Sequence, residues 1–364
     1  MKAGYFGSLL VFGAAFGMTQ VGLAQSVPSN IVPDDTLGEE RSTLTPAVIK
    51  GLPSDQINGG AVRGSNLFHS FQQFNIGEGH GAYFANPVGI ENILSRVTGT
   101  GRSEILGKLG VLGDANLFLL NPNGIVFGPK SSLDVVGSFT ATTADAIQLG
   151  DRGFFSASQP QQSGLLAVAP GALLYEQIAA QGSRLVNTGN LIAGQDLTLA
   201  ANNLELQGQL RSGRDLTLQA QDTVRIRDSV TAPFMANAGR NLTIQGDRGL
   251  DILTLSNVQS RIQSGSDLTL ISNGSISGDT HFFSGGNLSM VTLTGTPGNF
   301  VSLYDPIIYV NGDVSFGNYS GASLKIEATG SIQGGNIEIL TPDGGIPNTA
   351  PDFAILTGGK AVIL

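Results

Sequence analysis

The chain has 364 residues, with 51 Gly, no Cys, no Trp, 13% charged residues and a net charge of −9. Without Cys there is no disulfide framework, no thiolate metal site and no thiol nucleophile. The acidic balance makes nucleic acid a poor partner, because phosphate contacts need clustered Lys and Arg. The Gly content disfavours helical bundles, where each interior Gly costs about 1 kcal/mol.

Residues 1–24 read as a secretory signal peptide, cleaved between Ala24 and Gln25. Lys2 supplies the positive start, and Tyr5 to Met18 is uncharged and mostly apolar. That run is shorter than the ~20 residues needed to span a bilayer. Export without Cys suits a chain that crosses a second membrane unfolded, since a crosslinked loop would block a narrow pore.

Residues 25–180 carry a series of ordered stretches. IVPDDTLG starts at Ile31, INGGAVRGSNLFHSFQQFNI at Ile57 and AYFANPVGIENILSRVTGTGRSEILGKL at Ala82. ANLFLLNPNGIVFGP starts at Ala115 and LDVVGSFTATTADAI at Leu133. Within them Asn121-Pro122-Asn123-Gly124 reads as a tight turn between two apolar strands: Pro presets the second position, Asn suits the third and Gly closes it. Gln159 to Gly164 is polar and reads as a surface loop and soft boundary.

Together these stretches, from Ile31 to Ala172, resemble the N-terminal secretion domain of filamentous-haemagglutinin-like exoproteins, the secreted partners of two-partner secretion systems. The resemblance implies a capped β-helix recognised by an outer-membrane β-barrel transporter. It makes Asn121, Pro122, Asn123 and Gly124 the candidate secretion motif, acting either by holding the turn or by touching the transporter. A second family motif, NPNL, is replaced by Asn86-Pro87-Val88-Gly89, which leaves the transporter subclass open.

Residues 181–364 are repetitive. Gly-x-[Asp/Asn]-Leu-[Thr/Ser]-[Leu/Ile/Met] begins at Gly194, Gly213, Gly239, Gly265 and Gly285, with looser copies at Asn311, Gly321 and Gly334. In each copy Gly is expected to take positive φ at a corner, and Asp or Asn to bond the local backbone. Leu-Thr-Leu then alternates in, out, in. Further strands are expected at Leu204 to Leu206, Val224 to Ile226 and Leu253 to Leu255. Units of 20 to 26 residues point to an all-β fold, a right-handed single-stranded parallel β-helix with an N-terminal capping region. About 14 coils would give a rod of about 65 Å at ~4.8 Å per coil. The apolar stretch Lys360 to Leu364 lacks a polar cap, so the chain reads as truncated or completed by a partner.

Chemistry is sparse, and no cofactor or metal is expected. Gly79-His80-Gly81 superficially resembles the GHG of polygalacturonases, but their Asn-Thr-Asp is absent and the one Asp-Asp, Asp34-Asp35, reads as a turn. His80 is expected in an exposed corner, His69 facing inward on a carbonyl, and His281 in an isolated apolar patch beside Phe282 and Phe283. Asp196, Asp215 and Asp267 recur regularly but lack the nonapeptide of calcium ladders. Arg211, Arg214, Arg225, Arg227 and Arg240 are scattered singly, and Arg-Gly-Asp and GxxxxGK[ST] are absent. The leading reading is therefore a secreted, adhesin-like exoprotein, not an enzyme, with an unknown surface receptor or polysaccharide as further partner. The alternative is a β-helical carbohydrate lyase or hydrolase, which requires three of Glu205, Asp222, Asp228, Asp247 and Asp251 to converge.

Overall fold

A computed structural model describes residues 29–174, 183–304, 306–340, 348, 353–358 and 361–363. The signal peptide and its cleavage pair Ala24–Gln25, and the boundary at residue 180, lie outside the described residues.

The chain winds into a parallel β-helix with three strands per coil. In the first sheet the strand Asn66–Asn75 is followed in parallel by Asn92–Val97, Asn116–Leu120, Phe139–Thr142, Leu197–Ala201, Leu216–Ala220 and five further strands, ending at Ile332–Gln333. These eleven strands span about 48 Å, ten steps of ~4.8 Å. The second sheet runs from the hairpin Ser42–Ile49/Leu52–Gly59 to Ala361–Ile363, and the third from Ser103–Ile105 to Ile337–Ile339.

Among the described residues the coil number falls short of 14 for two reasons. Residues 30–59 form a cap, in which Asn30–Pro33 pairs antiparallel with Asn66–Asn75 and the two strands of the hairpin pair antiparallel with each other. After Thr142 the chain also leaves the solenoid and builds a three-stranded antiparallel sheet from Ala146–Leu149, Gly153–Ser156 and Pro170–Leu174. Gln159 to Gly164 is the tip of this excursion. It lies at the surface, as expected of a loop, and is anchored where Ser163 bonds both Arg96 and the Ser156 amide. The excursion covers outward side chains of the first sheet, and Phe68, Leu94, Leu120, Ile147, Leu149 and Phe155 make a second core.

The repeats alternate as expected: Leu197, Leu199, Leu216 and Leu218 are buried, and Thr198 and Thr217 face outward. The expected strand at Leu253 to Leu255 is displaced. The strand is Gly249–Leu253, with Leu250 and Ile252 inside, while Leu253 and Leu255 are half-exposed around buried Thr254. The looser copies at Gly321 and Gly334 are not further coils, for they feed strands of the second and third sheets, Leu324–Ala328 and Ile337–Ile339.

The repeat glycines are also needed for a different reason from the expected one. None of Gly194, Gly213, Gly239, Gly265 and Gly285 has positive φ. Instead, a Cβ on Gly213, Gly239, Gly265 or Gly285 would collide with the carbonyl oxygen of the preceding repeat glycine, and one on Gly194 with that of Val136. Close backbone stacking at the corner demands Gly. The Asp/Asn residues likewise act between coils and not within their own turn. The amide N–H of each donates to the side chain one coil earlier: Asp215 to Asp196 at 3.1 Å, Asn241 to Asp215 at 3.0 Å, Asp267 to Asn241 at 3.3 Å, Asn287 to Asp267 at 2.8 Å and Asp313 to Asn287 at 2.8 Å. Asn66, Asn92 and Asn116 begin the same ladder through side-chain amide bonds of 3.0 and 2.9 Å.

Candidate secretion surface

Asn121, Pro122, Asn123 and Gly124 join the first-sheet strand Asn116–Leu120 to the third-sheet strand Ile125–Phe127. The Gly124 amide donates to the Asn121 carbonyl at 3.1 Å, closing the turn. Asn121 is fully buried. Its Nδ2 donates to the Gly101 carbonyl and the Ser103 hydroxyl, at 3.1 and 3.0 Å, and its Oδ1 accepts the Asn123 amide at 3.0 Å. Its own amide donates to the Thr142 carbonyl. One side chain and its backbone thereby tie three successive coils. Exposed Asn123 reaches back to the Gly99 carbonyl at 2.8 Å. Gly124 has φ +119°, and a Cβ there would sit 3.1 Å from the Arg184 carbonyl oxygen of the next coil.

Asn86-Pro87-Val88-Gly89 is built similarly at another corner. Asn86 Nδ2 donates to the Ile90 carbonyl and its Oδ1 accepts the Ala115 backbone amide, at 3.0 and 3.1 Å. Pro87, Val88 and Gly89 project into solvent, with Gly89 at φ +86°.

The residue that sequence reasoning missed is Arg96, which is completely buried. It donates to the Ser70 and Thr36 hydroxyls at 2.8 Å, and to the Ser156 carbonyl and Ser163 hydroxyl at 2.7 Å, while its guanidinium lies 4.5 Å from the Phe155 ring centre. Burial pulls its pKa down to about 10, opposed by the charge of Asp34, so it stays charged at neutral pH. The signal was a lone Arg inside the apolar strand Asn92–Val97. Asp34 does form part of a turn, and it organises the cap. Burial alone would raise its pKa, but bonds from Thr36, Thr98 and Ser70 hold it below the usual carboxylate range.

The histidines differ from expectation in detail. His69 faces inward, but its Nδ1 pairs with the Ser42 hydroxyl at 2.9 Å and not with a carbonyl; its Nε2 is without a protein partner. Burial drives its pKa down to about 3. His80 is half-buried 3.0 Å from the Asp55 carboxylate, not in an exposed corner. His281 begins a regular strand, in which Phe282 enters the core and Phe283 stacks outside on Tyr309, so there is no isolated apolar patch.

The carboxylates considered for catalysis take separate partners. Glu205 pairs with Arg184, Asp251 with Arg225 and Arg227, and Asp228 accepts from Ser256, Asn257 and Ser260. Asp222 accepts from Thr223 and Asp247 from Gln245. Among the described residues no three His, Asp or Glu side chains group as metal ligands. Arg214 and Arg240 are not isolated, because they pair with Asp196 and Asp215 of the coil before.

Comparison with known proteins places this architecture. The family described as "TPS secretion domain" matches residues 29–345. A heme/hemopexin-binding protein of Haemophilus influenzae is 34% identical over 83 residues, which are 23% of this chain and 9% of that protein's length. The filamentous hemagglutinin secretion domain superposes with a TM-score of 0.47 at 18% identity, covering 85% of this chain and 98% of that one. The HMW1 secretion domain of Haemophilus influenzae gives 0.42 at 14% identity, covering 85% and 100%. Matched over residues 29–345, the chain belongs to the TPS secretion domain family, whose members are secreted across the outer membrane to the cell surface or exterior.

Proposed function

We propose that the chain is an adhesin-like exoprotein whose capped first coils are what the partner β-barrel transporter recognises. In this reading residues 1–24 are a leader cut between Ala24 and Gln25, residues 25–180 the secretion domain, and residues 181–364 a repeat region that displays a surface to a receptor or polysaccharide. The observation that supports it most is the saturation of Asn121, which binds backbone on both sides of its own coil. The motif then serves secretion chiefly by holding the first coils in register. Outside the cell, each arriving coil buries its inward Leu and Ile side chains on the last, which draws the chain outward.

The test is release into the medium when the chain is co-expressed with its transporter. Asn121→Ala removes the bonds to Gly101, Ser103 and Asn123, and Gly124→Ala presses on Arg184. Both substitutions are expected to abolish release, and wild-type amounts in the medium would sink the proposal.

A further inference from the structure

An Asn-Gly pair is a place where a chain can modify itself. With no Cβ on the glycine, its amide nitrogen can close on the asparagine carboxamide and displace the amino group. The sequence has four such pairs: Asn58-Gly59, Asn123-Gly124, Asn273-Gly274 and Asn311-Gly312. The fold ties down three of them. Asn58 Nδ2 donates to the Thr45 hydroxyl and the Gln56 carbonyl, both at 3.3 Å, and the pair ends the strand Leu52–Gly59. Asn123 Nδ2 donates to the Gly99 carbonyl at 2.8 Å, and the Gly124 amide to the Asn121 carbonyl at 3.1 Å. Asn273 Oδ1 accepts the Leu293 amide, and the Gly274 amide donates to the Ser272 hydroxyl, both at 3.0 Å. Reaction at any of these three must first break bonds that the fold has made.

The fourth pair is different. Asn311 stands where the other tight copies of the repeat have Gly, at the corner between the strands Ile307–Val310 and Val314–Ser315, and it is exposed. The surrounding backbone is held, since the Asn311 amide donates to the Ser284 carbonyl and the Gly312 carbonyl accepts the Gly330 amide, both at 3.0 Å. The two reacting groups are not. Among the described residues neither the Asn311 carboxamide nor the Gly312 N–H has a hydrogen-bond partner.

We infer that Asn311 is the site at which the folded protein deamidates. The Gly312 amide nitrogen gives its proton to solvent base and attacks Asn311 Cγ. The N–Cγ bond forms, the Cγ–Nδ2 bond breaks, and Nδ2 takes up a proton and leaves as ammonia. The resulting five-membered succinimide is opened by water at either of its carbonyls, giving an aspartyl or an isoaspartyl residue. Either product places a new carboxylate two residues from Asp313, whose amide is held by Asn287 Oδ1 at 2.8 Å and whose Oδ1 holds the Ser331 amide at 2.7 Å. The isoaspartyl form also lengthens the backbone by one methylene. It does so at a corner too close-packed for extra atoms, where a Cβ on Gly312 would already sit 2.4 Å from Asn287 Oδ1. Deamidation therefore loosens the corner ladder at this coil, and the chemistry is independent of any transporter or receptor.

The experiment incubates the full, folded chain in mildly alkaline buffer and follows each of the four asparagines by peptide mass mapping. Isoaspartyl methyltransferase labelling reads the linkage formed. Asn311 is expected to convert about tenfold faster than Asn58, Asn123 or Asn273, the factor that one hydrogen bond to be broken is worth. Its rate should rise with pH, because the attacking nitrogen must lose its proton, and Asn311→Gln should remove the signal at this position. A parallel incubation in urea, where no corner is held, should bring the four rates together. Asn311 remaining intact in the folded chain while it converts in urea overturns the inference. So does any of the three tied pairs converting as fast as Asn311 in the folded chain, or a folded ranking that merely repeats the ranking in urea.

Discussion

At the scale of single residues, the capped end depends on groups whose surroundings set their charge. His69 is enclosed by Ser42, Phe71 and Phe84, and its pKa of about 3 keeps it neutral. Unfolded, it titrates near 6.5. As pH falls from about 6.5 towards 3 the unfolded chain takes up a proton that the native chain refuses, so stability is lost across that window. Asp34 acts lower: its depressed pKa stabilises above the ordinary carboxylate value of about 3.9, and that contribution is lost on further acidification. Thermal melts at pH 7 and pH 4.5 should therefore show a drop for wild type. The drop should shrink markedly in His69→Gln, and an equal drop in the variant would refute the assignment. This behaviour was not legible in the sequence. Alternation in Leu67-Phe68-His69 turns the ring inward, but nothing local says that Ser42 of the cap will meet it.

At the scale of the element, one corner repeated along the rod explains why Gly-x-[Asp/Asn] recurs. The glycine removes the Cβ that would strike the previous coil's carbonyl, and the acid or amide catches the next coil's N–H. Gly213→Ala should cost on the order of 1–3 kcal/mol, in the range of overpacked sites. Gly101→Ala, where a Cβ meets nothing within 4 Å, should be close to neutral. Urea unfolding midpoints of the two variants compare them directly, and equal midpoints would show that the corners tolerate side chains. The repeat and its in–out strands were readable because period-2 alternation is local. The physical reason for the glycine was not, since it depends on a neighbour 19 to 26 residues away.

At the scale of the whole molecule, Arg96 joins parts distant in the chain: Thr36 of the cap, Ser70 of the first coil, and Ser156 and Ser163 of the excursion. Removing it strands buried hydroxyl and carbonyl groups beside Asp34. Arg96→Met should destabilise the N-terminal end by about 3–5 kcal/mol, the range for breaking a buried charged network. Hydrogen exchange should show protection lost in residues 30–59 and 143–174 while the coils after Leu197 stay protected. Uniform protection throughout would contradict this role.

The sequence by itself determined the solenoid, its inward Leu–Thr–Leu rhythm and the turn at Asn121–Gly124, because these follow from alternation and turn chemistry over a few residues. The ordered stretches from Ile31 onward also carried the family. Only the tertiary structure decided that residues 143–174 leave the coil stack, and that Arg96 clamps the capped end. These features are contacts between coils. Stacking sets them at one strand spacing apart in space, whereas in sequence the same residues stand tens of positions apart with no local pattern to mark them.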